Sequence, residues 1–187
     1  MPNEILQKSG TQFSFADHAG DFAPAAANDL EQGTPTNVQL SLASVANNAA
    51  RQSAKFDFGA TRARKYSCMA AFELAATPTA GNVIEVWLMP SPDATAANGN
   101  PGAASGSDAA YSGYSSNLEA SIIQGLQIGV FVVTAQATGT VQIAYVGCVS
   151  PPERYGSLIV SNKSGAAFHS DDVECHVVLT PIIDEVQ

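Results

Sequence analysis

The chain has few of the residues on which catalytic and metal-binding motifs depend. It contains three cysteines and three histidines in 187 residues, and the cysteines show no CxxC spacing. The motifs GxSxG, HExxH, GxGxxG and GxxxxGKS/T are all absent. An odd number of widely spaced cysteines favours free, buried thiols over a disulfide framework or a zinc site. We therefore expect no enzyme, no cofactor and no bound metal.

Positive charge is also scarce. Eight bases stand against seventeen acids, which gives a net charge of −9 and opposes non-specific attraction to nucleic acid or to an anionic membrane. Five of the eight bases nevertheless lie in one segment. They are Arg51, Lys55, Arg62, Arg64 and Lys65. Two interpretations stay open: a solvated strand face, or a local basic patch that binds an acidic partner, with attachment that weakens in high salt.

Long hydrophobic runs are missing. The most apolar region, residues 127–149, is interrupted by Gln, Thr and Gly, and never reaches the roughly 18–20 continuous apolar residues of a membrane helix. The first residues, MPNEILQKSG, contain Glu4 and no basic flank before an apolar core, so we expect no secretory signal peptide. These features predict a soluble protein.

What the sequence does contain is β-strand periodicity. In YSCMAAFEL (66–74) and NVIEVWLMP (82–90) apolar residues recur at alternate positions, and the Pro/Gly turn between the two segments predicts a hairpin. Similar short segments lie before and after these two, at 37–43, 54–60, 126–134, 140–149, 154–162 and 174–182. One helical turn or two are expected at 117–127, with Asn117 as N-cap. About eight strands separated by turns predict an antiparallel β-sandwich of jelly-roll type over residues 36–187.

The alternation also predicts which side chains form the core of the sandwich. An immunoglobulin-like sandwich is the alternative fold, but this sequence lacks the Cys…Trp…Cys arrangement of the immunoglobulin family. Ten side chains lie on the more apolar face of their strands. They are Phe72, Ile84, Val86, Leu88, Val130, Val132, Ile143, Leu158, Val177 and Leu179.

Residues 1–35 read as an extended arm. They are rich in Asp, Asn, Ala, Gly and Pro, with isolated aromatic residues at Phe13, Phe15 and Phe22. Such a segment has little apolar surface with which to offset its ordering entropy. It could become ordered across a neighbouring subunit or on its own sheet, and both alternatives stay open.

Residues 91–116 form a long loop of small residues that includes Tyr111 and Tyr114. Loops of this length in a compact domain are usually binding loops, packed loops or linkers. The two tyrosines could anchor a subunit interface, stack on a sugar ring, or hold the loop on its own sheet.

One cluster of possible metal ligands lies in HSDDVECH (169–176). His169, Asp171, Asp172, Glu174 and His176 could surround a cation. The spacing is unspecific, and the Ser-Asp-Asp run is typical of a solvated turn before a strand, so the turn is the favoured interpretation.

Three longer segments together resemble a group of small bacteriophage virion structural proteins. They are RQSAKFDFGATRARKY, EVWLMPSPDATAANGNPGAASGSDAAYSGYSSNL and ERYGSLIVSNKSGAAFHSDDVECHVVLTP, and the resemblance runs from about residue 37 to 183. It implies a β-sandwich on the phage particle, first as a capsid decoration (cement) protein that bridges capsomers of the major capsid protein. A head-fibre, tail or glycan-binding adhesion role is the alternative. Decoration proteins commonly act as symmetric trimers, so we expect a homotrimer on the capsid surface.

Overall fold

A computed structural model describes the backbone of residues 5–186 and the side chains of residues 10–183. The first four residues of the predicted arm, which belong to MPNEILQKSG, lie outside this part. The described chain is almost entirely β. Its strands are β1 (Ile5–Ser9), β2 (Phe13–Ala16), β3 (Thr36–Gln39), β4 (Ala49–Gln52), β5 (Phe56–Asp57), β6 (Lys65–Phe72), β7 (Val83–Ser91), β8 (Ala109–Tyr111), β9 (Leu126–Val132), β10 (Gln142–Val149), β11 (Tyr155–Lys163) and β12 (His176–Val186).

The strands form one continuous curled sheet in the order β3-β2-β12-β6-β10-β9-β7-β11-β4-β8, with β1 on β12 and β5 on β11. Every pair is antiparallel except β2 with β3, which is parallel. The all-β prediction is confirmed. The sheet is mixed rather than purely antiparallel, because the chain returns from β2 to β3 through residues 17–35 instead of a tight turn.

Strands β9 and β10 meet at a single close approach. These strands share one backbone pair, Gly147 with Gly129, and β10 has a bulge beside it. A Cβ on Gly129 would clash with the carbonyl oxygen of Val146, and one on Gly147 would clash with the carbonyl oxygen of Ile128. Only glycine allows this approach, and the point divides the sheet into the half that ends with β10 and the half that begins with β9.

The inner face of the curled sheet holds the main core. Phe72 packs edge-to-face on Phe131 and Phe168, with ring centroids 5.0 and 5.2 Å away, and both halves of the sheet contribute to this cluster. Seven of the ten predicted core residues are confirmed as buried. They are Phe72, Ile84, Val86, Leu88, Leu158, Val177 and Leu179.

The prediction is wrong for Val130, Val132 and Ile143, whose exposures are 39%, 54% and 40%. The segment LQIGVFVVT is apolar on both faces, so alternation alone does not fix which face points inward. An irregularity opposite Gly129 then changes the phase of β9. Ile128 points inward before it and Phe131 after it.

The predicted hairpin between 66–74 and 82–90 is also wrong. Strand β6 pairs with β10 and β12, whereas β7 pairs with β9 and β11. The connection at 73–82 is too long to force adjacent pairing. Leu74 bridges to Phe168, and the chain crosses from one half of the sheet to the other.

Two of the three aromatic residues of the arm belong to the sheet, whereas Phe22 lies outside the strands. Phe13 and Phe15 lie on β2, which pairs with β12, and both side chains are buried. For these residues the structure shows packing on their own sheet. Elsewhere, the predicted helical segment forms α1 (Leu118–Ile122), and the Asn117 side chain accepts a hydrogen bond from the Ala120 N–H. Within the described residues no helix is long and apolar enough to cross a bilayer.

Candidate functional site

The outer face of the sheet is covered at two places and bare between them. Residues 17–32, here called the N-terminal cover, form hydrogen bonds with Gln12 just before β2, with His176 on β12 and with Glu174 just before β12. Residues 92–123, here called the loop cover, pack on β4, β7 and β11, and include β8, α1 and the C-cap residue Ile123. Strands β6, β9 and β10 lie between these segments. The long loop predicted at 91–116 is therefore a packed loop that covers part of the sheet.

Tyr111 holds the loop cover on the sheet. It is 3% exposed and packs in a cluster with Trp87, Met89 and Ile159 from the outer face of β7 and β11. Its hydroxyl donates a 2.6 Å hydrogen bond to the carbonyl of Gly102, and burial raises its pKa to about 12. Of the three alternatives for the tyrosines, the structure places Tyr111 in the one that fixes the loop, whereas Tyr114 is 54% exposed.

Lys55 fixes the other end of the same loop. Its ammonium group donates to Ser91 Oγ at 2.9 Å and to the carbonyls of Asp93, Thr95 and Asn98 at 3.0, 2.8 and 2.7 Å. Burial lowers the pKa of Lys55. A cation surrounded by carbonyl oxygens closes this turn as a metal ion would, so the side chain is committed to the protein's own loop.

Arg51 is committed in the same way. Its Nε and Nη2 donate to the two carboxylate oxygens of Asp108, each at 2.7 Å, and this hydrogen bonding raises the pKa of Arg51. Asp108 also accepts from the Ser41 N–H at 3.3 Å. The bidentate pair joins β4 to the loop cover. The basic segment predicted from the sequence therefore divides, and Arg51 and Lys55 serve the fold.

The other three bases lie on the surface at the start of β6. Arg64 and Lys65 are exposed, and Arg62 is half-buried and donates from Nη2 to the Pro152 carbonyl at 3.0 Å. They stay close together because the loop at 59–64 leads directly into the strand. We call Arg62, Arg64 and Lys65 the basic pole.

The N-terminal cover is fixed mainly by His176 and Glu174. His176 is fully buried, its Nε2 accepts from the Leu30 N–H at 3.0 Å, and Phe22 packs on its ring. Burial lowers the pKa of His176. Glu174 accepts from the Ala25 N–H at 3.0 Å. His176 and Glu174 belong to the predicted HSDDVECH cluster, and both act as hydrogen-bond acceptors for the N-terminal cover.

Among the remaining members of that cluster, His169 and Asp171 line one depression together with Glu174, whereas Asp172 does not line it. Asp172 is buried and accepts from the N–H groups of Leu42 and Ala43. Among the described residues its nearest acidic neighbours are Asp17 and Asp21, with carboxylate oxygens within 4.8 Å of one another. Burial and the contact with Asp21 raise the pKa of Asp172. Sequence spacing could not reveal this group, because two of its members come from the N-terminal cover.

The bare part of the outer face is apolar. We call it the apolar strip, and it consists of Met69, Val130, Val132, Ile143 and Tyr145, exposed by 36%, 39%, 54%, 40% and 60%. Tyr145 and Met69 are direct cross-strand neighbours, and Val132 and Ile143 line one shallow depression of ≈ 260 Å³. Apolar side chains that are exposed side by side in this way often mark a binding site.

Comparison of the chain with protein-family models, with curated proteins and with solved structures gave no significant match. The resemblance to phage virion proteins therefore stays an expectation from the sequence. The apolar strip was missed by the sequence analysis, which assigned Val130, Val132 and Ile143 to the core. The signal was present as a strand with apolar residues on both faces, LQIGVFVVT.

Proposed function

We propose that this protein is a non-enzymatic structural component of a bacteriophage particle, a decoration (cement) protein that binds the major capsid protein through the apolar strip. A head-fibre or tail position on the same particle is the alternative. The phage assignment rests on the sequence resemblance. The assignment of the contact rests on the strip.

The bare strip is the observation that carries the proposal. The chain covers the outer face of its sheet on both sides with long segments, yet leaves Met69, Val132 and Tyr145 exposed between them. Removing such side chains from water contributes roughly 25 cal/mol per Å², so an apolar partner surface gains by covering them. Tyr145 is the type of aromatic residue that is enriched at the centres of interfaces.

The distribution of polar residues favours a contact protein over an enzyme. Arg51, Lys55 and Asp108 hold the loop cover, and Glu174 and His176 hold the N-terminal cover. In these positions they give two long segments a fixed shape. A rigid surface loses little conformational entropy on binding, which suits a protein that joins neighbouring subunits.

Glycan binding is less well supported. A sugar platform built from both tyrosines would need Tyr111 at the surface, but its ring is buried between the loop cover and the sheet. Tyr114 alone is exposed. An adhesion role would therefore predict that Tyr114→Ala abolishes binding to a host polysaccharide.

The proposal is tested on particles of the phage that encodes this chain. The strip variant Val132→Ser with Tyr145→Ser is compared with the control variant Tyr114→Ser with Ile123→Ser, which removes two similarly exposed apolar side chains, 54% and 66%, from the loop cover. We expect the control to occupy heads normally, and the strip variant to be reduced at least about tenfold in copy number.

Salt and imaging provide two further readouts. Attachment through the strip should hold in roughly 1 M salt, where charge pairs are screened over about 3 Å. An image of the particle should show the protein on the head with the strip against the shell. Equal occupancy by both variants, or a position away from the head with the strip exposed, would contradict the decoration role.

A further inference from the structure

The two ends of strands β6, β10 and β12 carry opposite charges. The basic pole lies where β6 begins and where β10 and β12 approach their ends. Two adjacent depressions, of ≈ 380 and ≈ 290 Å³, share Arg62 and Arg64 as lining residues. The first is completed by Thr61, Ile182 and Ile183, and the second by Ala60 and Pro151. The guanidinium groups therefore stand beside recesses that can receive another surface.

The opposite end of the same strands is acidic. A depression of ≈ 550 Å³ lies where β6 ends and where β10 and β12 begin, and Glu73, Asp171 and Glu174 contribute carboxylates to it. We call these three residues the acidic pole. Burial, together with the charges of Glu174 and Asp171, raises the pKa of Glu73, whereas His169 lowers it. The depression thus concentrates negative charge that an incoming cation would stabilise.

The distance between the poles excludes contact within one molecule. Strand β6 has eight residues, Lys65–Phe72, and a strand of that length spans about 27 Å. Both poles are also at the ends of rigid strands, so neither can fold back on the other. A basic pole can meet an acidic pole only between two molecules.

We propose that copies of this chain associate head to tail, with Arg62 and Arg64 of one copy in the depression bounded by Glu73, Asp171 and Glu174 of the next. Guanidinium groups pair with carboxylates in bidentate geometry, which fixes orientation as well as attraction. One exposed pair contributes only about 0–1 kcal/mol, so the contact needs several pairs and the partial burial that both recesses provide. A head-to-tail contact closes into a ring or continues as a filament, and a three-membered ring is the expected trimer.

This association is independent of the proposed attachment to a capsid. It uses the ends of the strands, whereas the apolar strip lies on the outer face between them. In this association, the exposed bases of one copy meet the acidic pole of the next copy. A net charge of −9 repels a second copy at long range, and complementary poles restrict close approach to one orientation.

The test is sedimentation velocity of the full chain and two pole variants over a concentration series. The first variant, Arg62→Gln with Arg64→Gln, removes both guanidinium groups of the basic pole, and the neutral glutamines add no negative charge that could attract the lysines of the second variant. The second, Asp171→Lys with Thr140→Lys, changes two exposed residues that line the acidic depression and leaves the buried Glu73 and the hydrogen-bonded Glu174 in place. Ser112→Glu with Ala120→Glu is the control, because it adds negative charge to exposed positions on the loop cover.

We expect the native chain and the control to oligomerise at physiological salt and to dissociate in roughly 1 M salt. Each pole variant alone should associate at least about tenfold more weakly. An equimolar mixture of the two variants should form a one-to-one complex and nothing larger, because each retains the pole that the other has lost. Circular dichroism checks that all variants fold.

Several results would overturn the proposal. They are a monomeric native chain at every concentration, a pole variant that oligomerises like the native chain, and a mixture that forms no complex. Loss of self-association in Val132→Ser with Tyr145→Ser would identify the strip as the self-contact and would also overturn it. If that variant oligomerises normally but leaves the head unoccupied, the head-to-tail contact and the attachment role are separately supported.

Discussion

Two regions of the same outer face carry similar apolar side chains, but those of one region are buried and those of the other are exposed. On β7 and β11, Trp87, Met89 and Ile159 point outward and are buried under the loop cover. On β6 and β10, Met69, Ile143 and Tyr145 also point outward and stay exposed. The sheet is one continuous structure, so strand type does not explain the difference. What differs is the presence of a segment long enough to cover the face.

The buried region explains why the chain has a long loop of small residues at 91–116. Its small residues allow close packing on the sheet, and Tyr111, Arg51 and Lys55 fix it at separate points. A chain that uses about thirty residues to bury one apolar face and leaves the neighbouring face bare has a surface that a partner can complete.

The largest effect is expected from Tyr111→Ala. This substitution removes the buried ring that joins the loop cover to β7 and β11, and should lower the free energy of unfolding by about 3–5 kcal/mol. Tyr111→Phe keeps the ring and leaves the Gly102 carbonyl without its donor, so a loss of about 1 kcal/mol is expected. Denaturant unfolding measures both. Equal, small losses would mean that the loop is not packed as described.

A smaller loss is expected from Lys55→Met. The aliphatic stem is retained, but the loop carbonyls at residues 93, 95 and 98 lose their shared donor, which should cost about 1–2 kcal/mol. The matched substitution Arg64→Met at the basic pole should leave the unfolding free energy unchanged within about 0.5 kcal/mol. Hydrogen exchange should speed up in the turn at 92–98 for Lys55→Met alone. A comparable loss in Arg64→Met would show that the two halves of the basic segment are equivalent.

The N-terminal cover should respond to pH through His176. The folded pKa of His176 lies below its usual value of about 6.5, so the unfolded chain takes up the proton first as pH falls. The contribution of His176 to stability is therefore complete above about pH 6.5 and is lost as pH falls below it. Protonation also removes the acceptor of the Leu30 N–H.

The measurement is the unfolding free energy against pH for the native chain and His176→Gln. Glutamine can still accept from Leu30 N–H but does not titrate, so the difference between the two chains should change only below about pH 6.5. Taking this difference removes the opposite contribution of Glu73 and Asp172, whose raised pKa values favour the folded state at lower pH. A difference that is constant with pH would contradict the role given to His176.

The smallest effect on stability is expected in the apolar strip. Val132→Ser with Tyr145→Ser replaces side chains that are already half-exposed, and should change the unfolding free energy by less than about 0.5 kcal/mol per site. The same variant should lose attachment to the head. A strongly destabilised strip variant would mean that the strip belongs to the fold rather than to an interface.

Much of the fold could be predicted from the sequence. Strong alternation in YSCMAAFEL and in ECHVVLTPI identified β6, most of β12 and their buried faces. The short strands β4 and β8 were missed, because their few residues show no distinctive alternation. Strand pairing could not be predicted from the sequence either, since the connection at 73–82 allows β6 and β7 to pair with other strands.

The candidate sites depended on tertiary contacts that no local pattern records. Arg51 and Lys55 resemble Arg62 and Arg64 in the sequence, and only their contacts with Asp108 and with the loop carbonyls separate them. The strip was hidden because apolar residues on both faces of a strand usually indicate complete burial. Here the second face has no cover.

We propose that the apolar strip contacts the partner and that the loop cover does not. Hydroxyl-radical footprinting of the protein, free and on intact particles, compares the two faces in one sample. Tyr145 and Met69 should be strongly protected from oxidation on attachment, while Tyr114 and Ile123, which are at least as exposed in the free protein as Met69, should react at unchanged rates. Protection of Tyr114 and Ile123 with full reactivity of Tyr145 and Met69 would contradict the claim.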